Sequence, residues 1–273
     1  MKRIVYFIVF YCSILTTNAQ NLAIGGRTWG LANANTCLTN DVFAAFSNQA
    51  GLAAINQVAF GVYGTNYHLT DVSTQAFALA IPTKTGVLGF NFRNFGRTYF
   101  YEQKVGLSYS RTFGKVIDFG LQLDYIRNQI DFITTNRITF ELGTIIHISP
   151  KTNIGFHLYD PIQSRFAANE SSVVGNTVAK LGIGYQISTK VLIAADFLKQ
   201  IDYPNLLNVG LEYQPTKSFA IRGGTQINRQ FTISTFGFGY TAKRLTIDLA
   251  TSIHSVLGIT PHLSMGYRLA PKD

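Results

Sequence analysis

The side chains that offer acid–base, nucleophilic or metal chemistry are few. The imidazoles are His68, His147, His157, His254 and His262, and the thiols are Cys12 and Cys37. A metal centre needs such ligands at short, repeated spacings, and these histidines show none. His147 and His157 fall on neighbouring extended segments at different heights, which suits polar groups of a rim or an interior. No Gly-x-Ser-x-Gly elbow and no phosphate-binding glycine loop occurs. A serine beside His157 or His254 is the one catalytic pairing left open, and no spacing singles it out. The expectation is a protein that is not an enzyme and uses no metal or cofactor. The formal net charge of +9 is spread over turns and loops. It forms no stripe of the kind that binds nucleic acid, so no nucleic-acid partner is expected.

The elements that must position any site begin after the first nineteen residues. Lys2 and Arg3 precede an uncharged apolar run from Ile4 to Leu15, and Thr17-Asn18-Ala19 offers small residues for cleavage. This reads as a signal peptide over residues 1–19, cut near Ala19-Gln20. The run is too short to span a membrane as a helix, which takes roughly 20 residues. Cys12 lacks the small-residue setting of a lipid-anchor site. Past the signal, Cys37 is the only thiol, so an exported chain must be held by something other than an internal disulfide.

Alternation then sets the fold. Ala179, Leu181, Ile183, Tyr185 and Ile187 share one face, against Val178, Lys180, Gly182, Gly184 and Gln186. The same pattern runs through 117–125, 207–213, 245–254 and 262–269. Side chains of a strand alternate sides, so each segment has one apolar face. A secreted β-sandwich would also alternate. The second face argues otherwise, because it combines many glycines with Lys104, Asp118, Asp124, Glu141, Lys180, Glu212, Asp248 and Arg268. A closed barrel tolerates glycine on its inner face because the closed ladder supplies rigidity; a solvent-facing sheet favours Thr, Lys and Glu with little glycine. Six short turns, each with a lysine, alternate with seven longer, varied connections. The total gives an all-β, transmembrane antiparallel β-barrel of about 14 strands, with short turns at one rim and loops at the other. Tyr109, Tyr185, Tyr213, Tyr240 and Tyr267 recur near the short-turn end, as an interfacial girdle would.

Residues 20–56 do not alternate. Gly25-Gly26-Arg27 and Gly30 read as loop, and Asn40 to Phe46 as a short helix started by Asn40 or Asp41. The barrel then occupies 57–270. Fourteen strands enclose more space than their own side chains fill. The glycine-rich inner face therefore calls for an occupant, and residues 24–55 are expected to plug the lumen with Phe43 and Phe46 buried. Asn48 is expected to satisfy backbone groups near strand one, and Gly51 to adopt positive φ there.

Gly30-Leu31-Ala32-Asn33-Ala34, Asp41 and Asn48-Gln49-Ala50-Gly51-Leu52 together resemble the N-terminal signature of the FadL-like superfamily of outer-membrane barrels. That group includes fatty-acid channels and the PorV/PorQ proteins of type IX secretion. The usual proline of the Asn-Pro-Ala-Gly-Leu motif is Gln49 here. The Ala19-Gln20 junction also resembles those of Bacteroidetes-type exported proteins. The resemblance implies an outer-membrane location in contact with lipid. It implies a plug motif of Asp41, Phe43, Phe46, Asn48, Ala50, Gly51 and Leu52 entering from the periplasmic side. It further implies either passage of a hydrophobic small molecule or service to secretion-system proteins; a purely structural membrane protein is the alternative. Phe92, Phe95, Tyr99, Phe100 and Tyr101 are the candidate contacts for a hydrophobic ligand, or else an interface girdle. Arginine at Leu121, Leu181, Leu211 or Leu249 is expected to cost far more than at the inward Gln122.

In a diderm host the mature chain should fractionate with the outer membrane and run with heat-modifiable gel mobility. Recovery as a soluble periplasmic protein would sink the barrel reading.

Overall fold

Hydrogen bonding between successive strands, and finally between the first and the last, closes the chain on itself. In hydrocarbon an unpaired backbone amide has no water to turn to, so a spanning sheet must close. The structure is a computed structural model and describes residues 23–67, 71–163, 177–201, 203–255 and 258–270. The signal peptide, its cleavage site and the tail after residue 270 lie outside the described residues, as does much of the connection after residue 160.

The strands are β1 Ala59–Tyr67, β2 Val72–Pro82, β3 Val87–Arg97, β4 Phe100–Phe113, β5 Ile117–Ile130, β6 Ile133–Ser149 and β7 Thr152–Tyr159. They continue as β8 Val178–Ser188, β9 Val191–Gln200, β10 Leu206–Tyr213, β11 Phe219–Ile227, β12 Thr232–Ala242, β13 Leu245–His254 and β14 Gly258–Arg268. Every pair is antiparallel, and β1 meets β14 in a register from Ala59↔Arg268 to Thr65↔His262. The protein is a closed antiparallel barrel of fourteen strands, as the alternation and the turn count imply.

Burial follows the same alternation. On β5, Ile117, Phe119, Leu121, Leu123 and Tyr125 are exposed, while Asp118, Gln122, Asp124 and Ile126 are buried. The exposed set forms the lipid face and continues round the wall through Leu181, Leu211 and Leu249. This is the inverse of a soluble sheet: apolar outside, charge inside. Among the described residues no helix is long and apolar enough to cross a membrane; the strands do so. The ladder slips at two places near the short-turn rim, between His147 and Ser149 and between Gln186 and Ser188. Tyr109, Tyr185, Tyr213 and Tyr240 are exposed near that rim. Tyr267 is half-buried there, with its ring 5.6 Å from that of Phe60.

One expectation about the interior needs correcting. Gln122 is fully buried, and its amide accepts from Asn91 Nδ2 at 2.9 Å and donates to Asp124 Oδ1 at 2.8 Å. The lumen beside it is filled, so Gln122 is no tolerant counterpart to a lipid-facing leucine. An outward residue at the loop rim, such as Thr134 opposite Gln129, serves instead. Leu249→Arg or Leu181→Arg should destabilise the folded barrel by about 2–4 kcal/mol, and Thr134→Arg by about 0–1 kcal/mol. Urea titration in lipid vesicles checks this; equal losses at the three sites would overturn the assignment of the lipid face.

Candidate functional site: the occupied lumen

The N-terminal segment builds the site. Its first element is a short helix, α1 Gly26–Gly30, where the glycine content reads as loop. The glycines are present because the helix lies hard against the wall. A Cβ on Gly26 would sit 2.5 Å from the Asp248 carbonyl oxygen, and one on Gly237 of β12 would sit 2.8 Å from Gly30 Cα. Gly25, which precedes the helix, has φ of 109°, a conformation L side chains rarely adopt. Two 3₁₀ helices follow, Val42–Phe46 and Gln49–Ala54. Asp41 caps the first by accepting from Phe43 N at 2.9 Å. Asn48 caps the second by accepting from Ala50 N at 3.2 Å.

The plug-motif residues meet inward glycines of the wall. Phe43 is buried against Gly25 and Gly61, and Leu52 against Gly89. The Ala50 amide lies where Gly120 would carry a Cβ, and Asn48 Oδ1 where Gly143 would. Asn48 Nδ2 donates to the Thr36 carbonyl at 2.6 Å and lies 3.2 Å from the Thr144 carbonyl oxygen. Phe46 is only half-buried. The expected positive φ at Gly51 is not found. Gly51 sits inside the second 3₁₀ helix, and a Cβ there would come within 2.5 Å of the Leu38 carbonyl oxygen. Space, not backbone handedness, explains that glycine.

Charge and hydrogen bonds fix the segment to one continuous stretch of wall, β9 to β13. Arg27 Nε and Nη2 donate to the Glu212 carboxylate at 2.9 and 3.0 Å. Arg222 Nε donates to the same carboxylate at 2.6 Å, and its Nη1 to Asp248 Oδ1 at 2.6 Å. The four charges alternate in sign across β10, β11 and β13. On the neighbouring β9, Asp196 Oδ2 accepts from Asn35 N, Thr36 N and Thr36 Oγ1 at 2.9, 2.9 and 2.6 Å. On β14, His262 stacks on Trp29 with ring centroids 4.2 Å apart. His262 Nδ1 lies 2.9 Å from the Tyr63 hydroxyl and its Nε2 lies 3.0 Å from Ser252 Oγ. Cys37 is buried against Gly184, and burial together with the Asp196 charge pushes its thiol well above the ordinary range. It is unsuited to act as a nucleophile.

Inward side chains of the wall, joined by Gln49 of the segment, fill much of the remaining lumen. Glu141 takes Lys104, His157 Nε2 at 2.8 Å and Gln49 Nε2 at 2.6 Å, and Lys104 also lies 3.2 Å from Asp124. Arg93 pairs with Glu102, and Arg137 Nη1 with Asp160 at 2.7 Å. Buried charges this closely paired avoid most of the desolvation cost that a lone charge would carry.

Two cavities flank the segment. One, about 410 Å³, opens at the short-turn end between Arg27, Asp41, Phe43 and Arg268. The other, about 140 Å³, lies toward the loop end and is walled by Trp29, Phe46, Leu198 and Leu206. The candidate ligand aromatics are split. Phe95 and Phe100 point inward and pack edge to face at 6.1 Å. Phe92 and Tyr101 fall on the outward face, and Tyr99 is exposed in the turn between β3 and β4. None of the five lines either cavity. Sequence reasoning missed Trp29, Asp196 and Arg222. Trp29 is the only tryptophan in the chain, a signal available from composition alone.

No family model matches the sequence, and no curated protein matches it. Solved structures do match the whole barrel. The Ralstonia pickettii toluene transporter TbuX aligns with a TM-score of 0.68 at 13% identity, over 90% of this chain and 98% of that one. A Pseudomonas aeruginosa FadL homologue aligns with 0.67 at 13% identity, over 89% and 98%. The P. putida toluene transporter TodX aligns with 0.69 at 11% identity, over 92% and 99%. The chain has the fold of these transporters. Identity this low speaks for the fold alone. The fold agrees with the FadL-like resemblance of the N-terminal motif; it does not single out the PorV/PorQ branch.

Asp196→Ala would leave three donors of the N-terminal segment without their acceptor. It should loosen the segment by about 1–3 kcal/mol. Limited proteolysis of the folded barrel should then cut within residues 33–40 severalfold faster than in wild type. Unchanged cutting would show that Asp196 does not hold the segment.

Proposed function

We propose that the protein is an outer-membrane channel for small hydrophobic molecules, with residues 24–55 acting as its plug. The observation that carries this reading is the N-terminal segment seated across the lumen of a transporter-type barrel, with a cavity on each side of it. The lysine-bearing short turns then face the periplasm and the longer loops face outward. A molecule would enter at the loop end, meet the smaller cavity, and leave past the segment at the short-turn end. Arg27, Asn48 and the Asp196 acceptor tie that segment to the wall through hydrogen bonds and ion pairs, beside an apolar contact of Phe43 and Leu52 with β1 to β3.

Service to secretion-system proteins, of the PorV/PorQ type IX kind, is the second reading. Its support is the β5–β6 hairpin, which carries Ile130, Phe132 and Ile133 exposed at its tip, with Phe132 fully so. Arg127 and Gln129 separate that tip from the apolar belt along the outward face of β5. An apolar tip beyond the lipid belt suits a protein partner.

Planar bilayers and proteoliposomes test the first reading. Wild type should conduct ions poorly yet admit a neutral aromatic probe, and removal of residues 24–55 should raise ion conductance. Equal conductance with and without the segment would refute the plug. A wild-type barrel that passes neither ions nor probe, yet retains a partner lost on Phe132→Ser, would favour the second reading.

A further inference from the structure

The cavity toward the loop end has a composition that a neutral hydrocarbon does not explain. Its volume is about 140 Å³. A cavity of about 150 Å³ accepts one benzene ring, so this one holds a single ring and not a long acyl chain. Trp29, Phe46, Leu198 and Leu206 supply apolar walls for that ring. Lys180 also lines the cavity, and it makes no hydrogen bond or ion pair with any of the described residues. The carboxylates whose field reaches it, Asp196 and Glu141, are held by other donors: Asp196 by Asn35 and Thr36, Glu141 by Lys104, His157 and Gln49. Lys104, by contrast, is fully paired, so an idle ammonium is not the habit of this lumen. Asn33 and Asn208 line the same cavity, and their Oδ1 atoms accept no hydrogen bond from the described residues. Apolar walls with a few polar groups at one end are the ordinary form of a small-molecule site.

We propose that this cavity binds a monocyclic aromatic carboxylate, its ring among Trp29, Phe46, Leu198 and Leu206 and its carboxylate on the Lys180 ammonium. A hydroxyl on the ring offers its one hydrogen to the side-chain amide of Asn33 or of Asn208. The proposal rests on the channel reading and narrows its substrate from hydrophobic molecules in general to ring acids. The ammonium–carboxylate contact lies away from bulk water, where a charge-assisted hydrogen bond is stronger than at a surface.

Trp29 is both a wall of the cavity and the sole tryptophan, so its emission reports occupancy. The detergent-extracted full chain should show saturable quenching by 4-hydroxybenzoate, with matching heat in calorimetry. Lys180→Met keeps the aliphatic stem and removes the charge. It should weaken 4-hydroxybenzoate roughly tenfold to a hundredfold, while the neutral 4-methylphenol binds wild type and variant alike. A heat-modifiable gel shift in the variant verifies that it has folded. Equal binding of the acid by wild type and Lys180→Met would overturn the proposal. So would absence of saturable binding in wild type, or a long-chain fatty acid that displaces the ring acid at lower concentration. Uptake of a neutral aromatic probe is measured on the same preparation. Probe uptake without acid binding defeats this inference alone, whereas loss of probe uptake defeats the channel reading.

Discussion

Closure of β1 on β14 is the constraint from which the rest follows. Seven residue pairs, from Ala59↔Arg268 to Thr65↔His262, complete a ladder that would otherwise leave two edges in hydrocarbon. Once the wall is closed, every strand has a lipid side and an enclosed side, and composition sorts accordingly. The exposed leucines, isoleucines and phenylalanines need no partner, because lipid is as apolar as they are. The enclosed side cannot remain empty. Fourteen strands are too many for their own side chains to fill the middle.

Two devices fill it, and they divide the interior between them. Toward the loop end, along β4 to β7, the wall fills its own share with paired charges, the cluster around Lys104, Asp124, Glu141 and His157. Toward the short-turn end, glycines of β3, β5, β6, β7, β10 and β12 thin the wall and the N-terminal segment takes the space. Arg27, Glu212, Arg222 and Asp248 form the contact between the segment and that half. Polar filling has a physical merit over an oily one in this setting. The exterior is already greasy, so an apolar filling would gain little by lying inside and not outside, whereas paired charges and amides have only one place to go.

Much of the fold was legible because the period of a strand is local. Two neighbours on opposite faces can be read from two letters, and turn residues mark where the count restarts. The same rule could have divided Phe92 from Phe95, which are three residues apart and so lie on opposite faces of one strand. The N-terminal segment was less legible because its conformation answers to distant residues. Gly26 and Gly30 look like loop until Asp248 and Gly237 are known to press on them. Gly51 looks like a turn residue until the Leu38 carbonyl is found where its side chain would be. Gln122 looks like a solvated lumen position until Asn91 and Asp124 are found to hold it. The cavity residues come from three separate stretches of chain, Trp29 with Asn33, Lys180, and Asn208, and no spacing in the sequence joins the three.

The glycine belt has a consequence for the order of assembly. Thr36, Leu31 and Gly30 occupy places beside Gly155, Gly210 and Gly237, so the first part of the chain touches strands made long after it. The segment fits its glycine-lined room closely on the wall side, with a cavity left at each end. Those contacts can form only once β7, β10 and β12 have joined the wall. Contacts between residues so far apart in sequence make such a fold slow to complete. Residues 24–55, made before any strand, are thus among the last to find their full set of contacts.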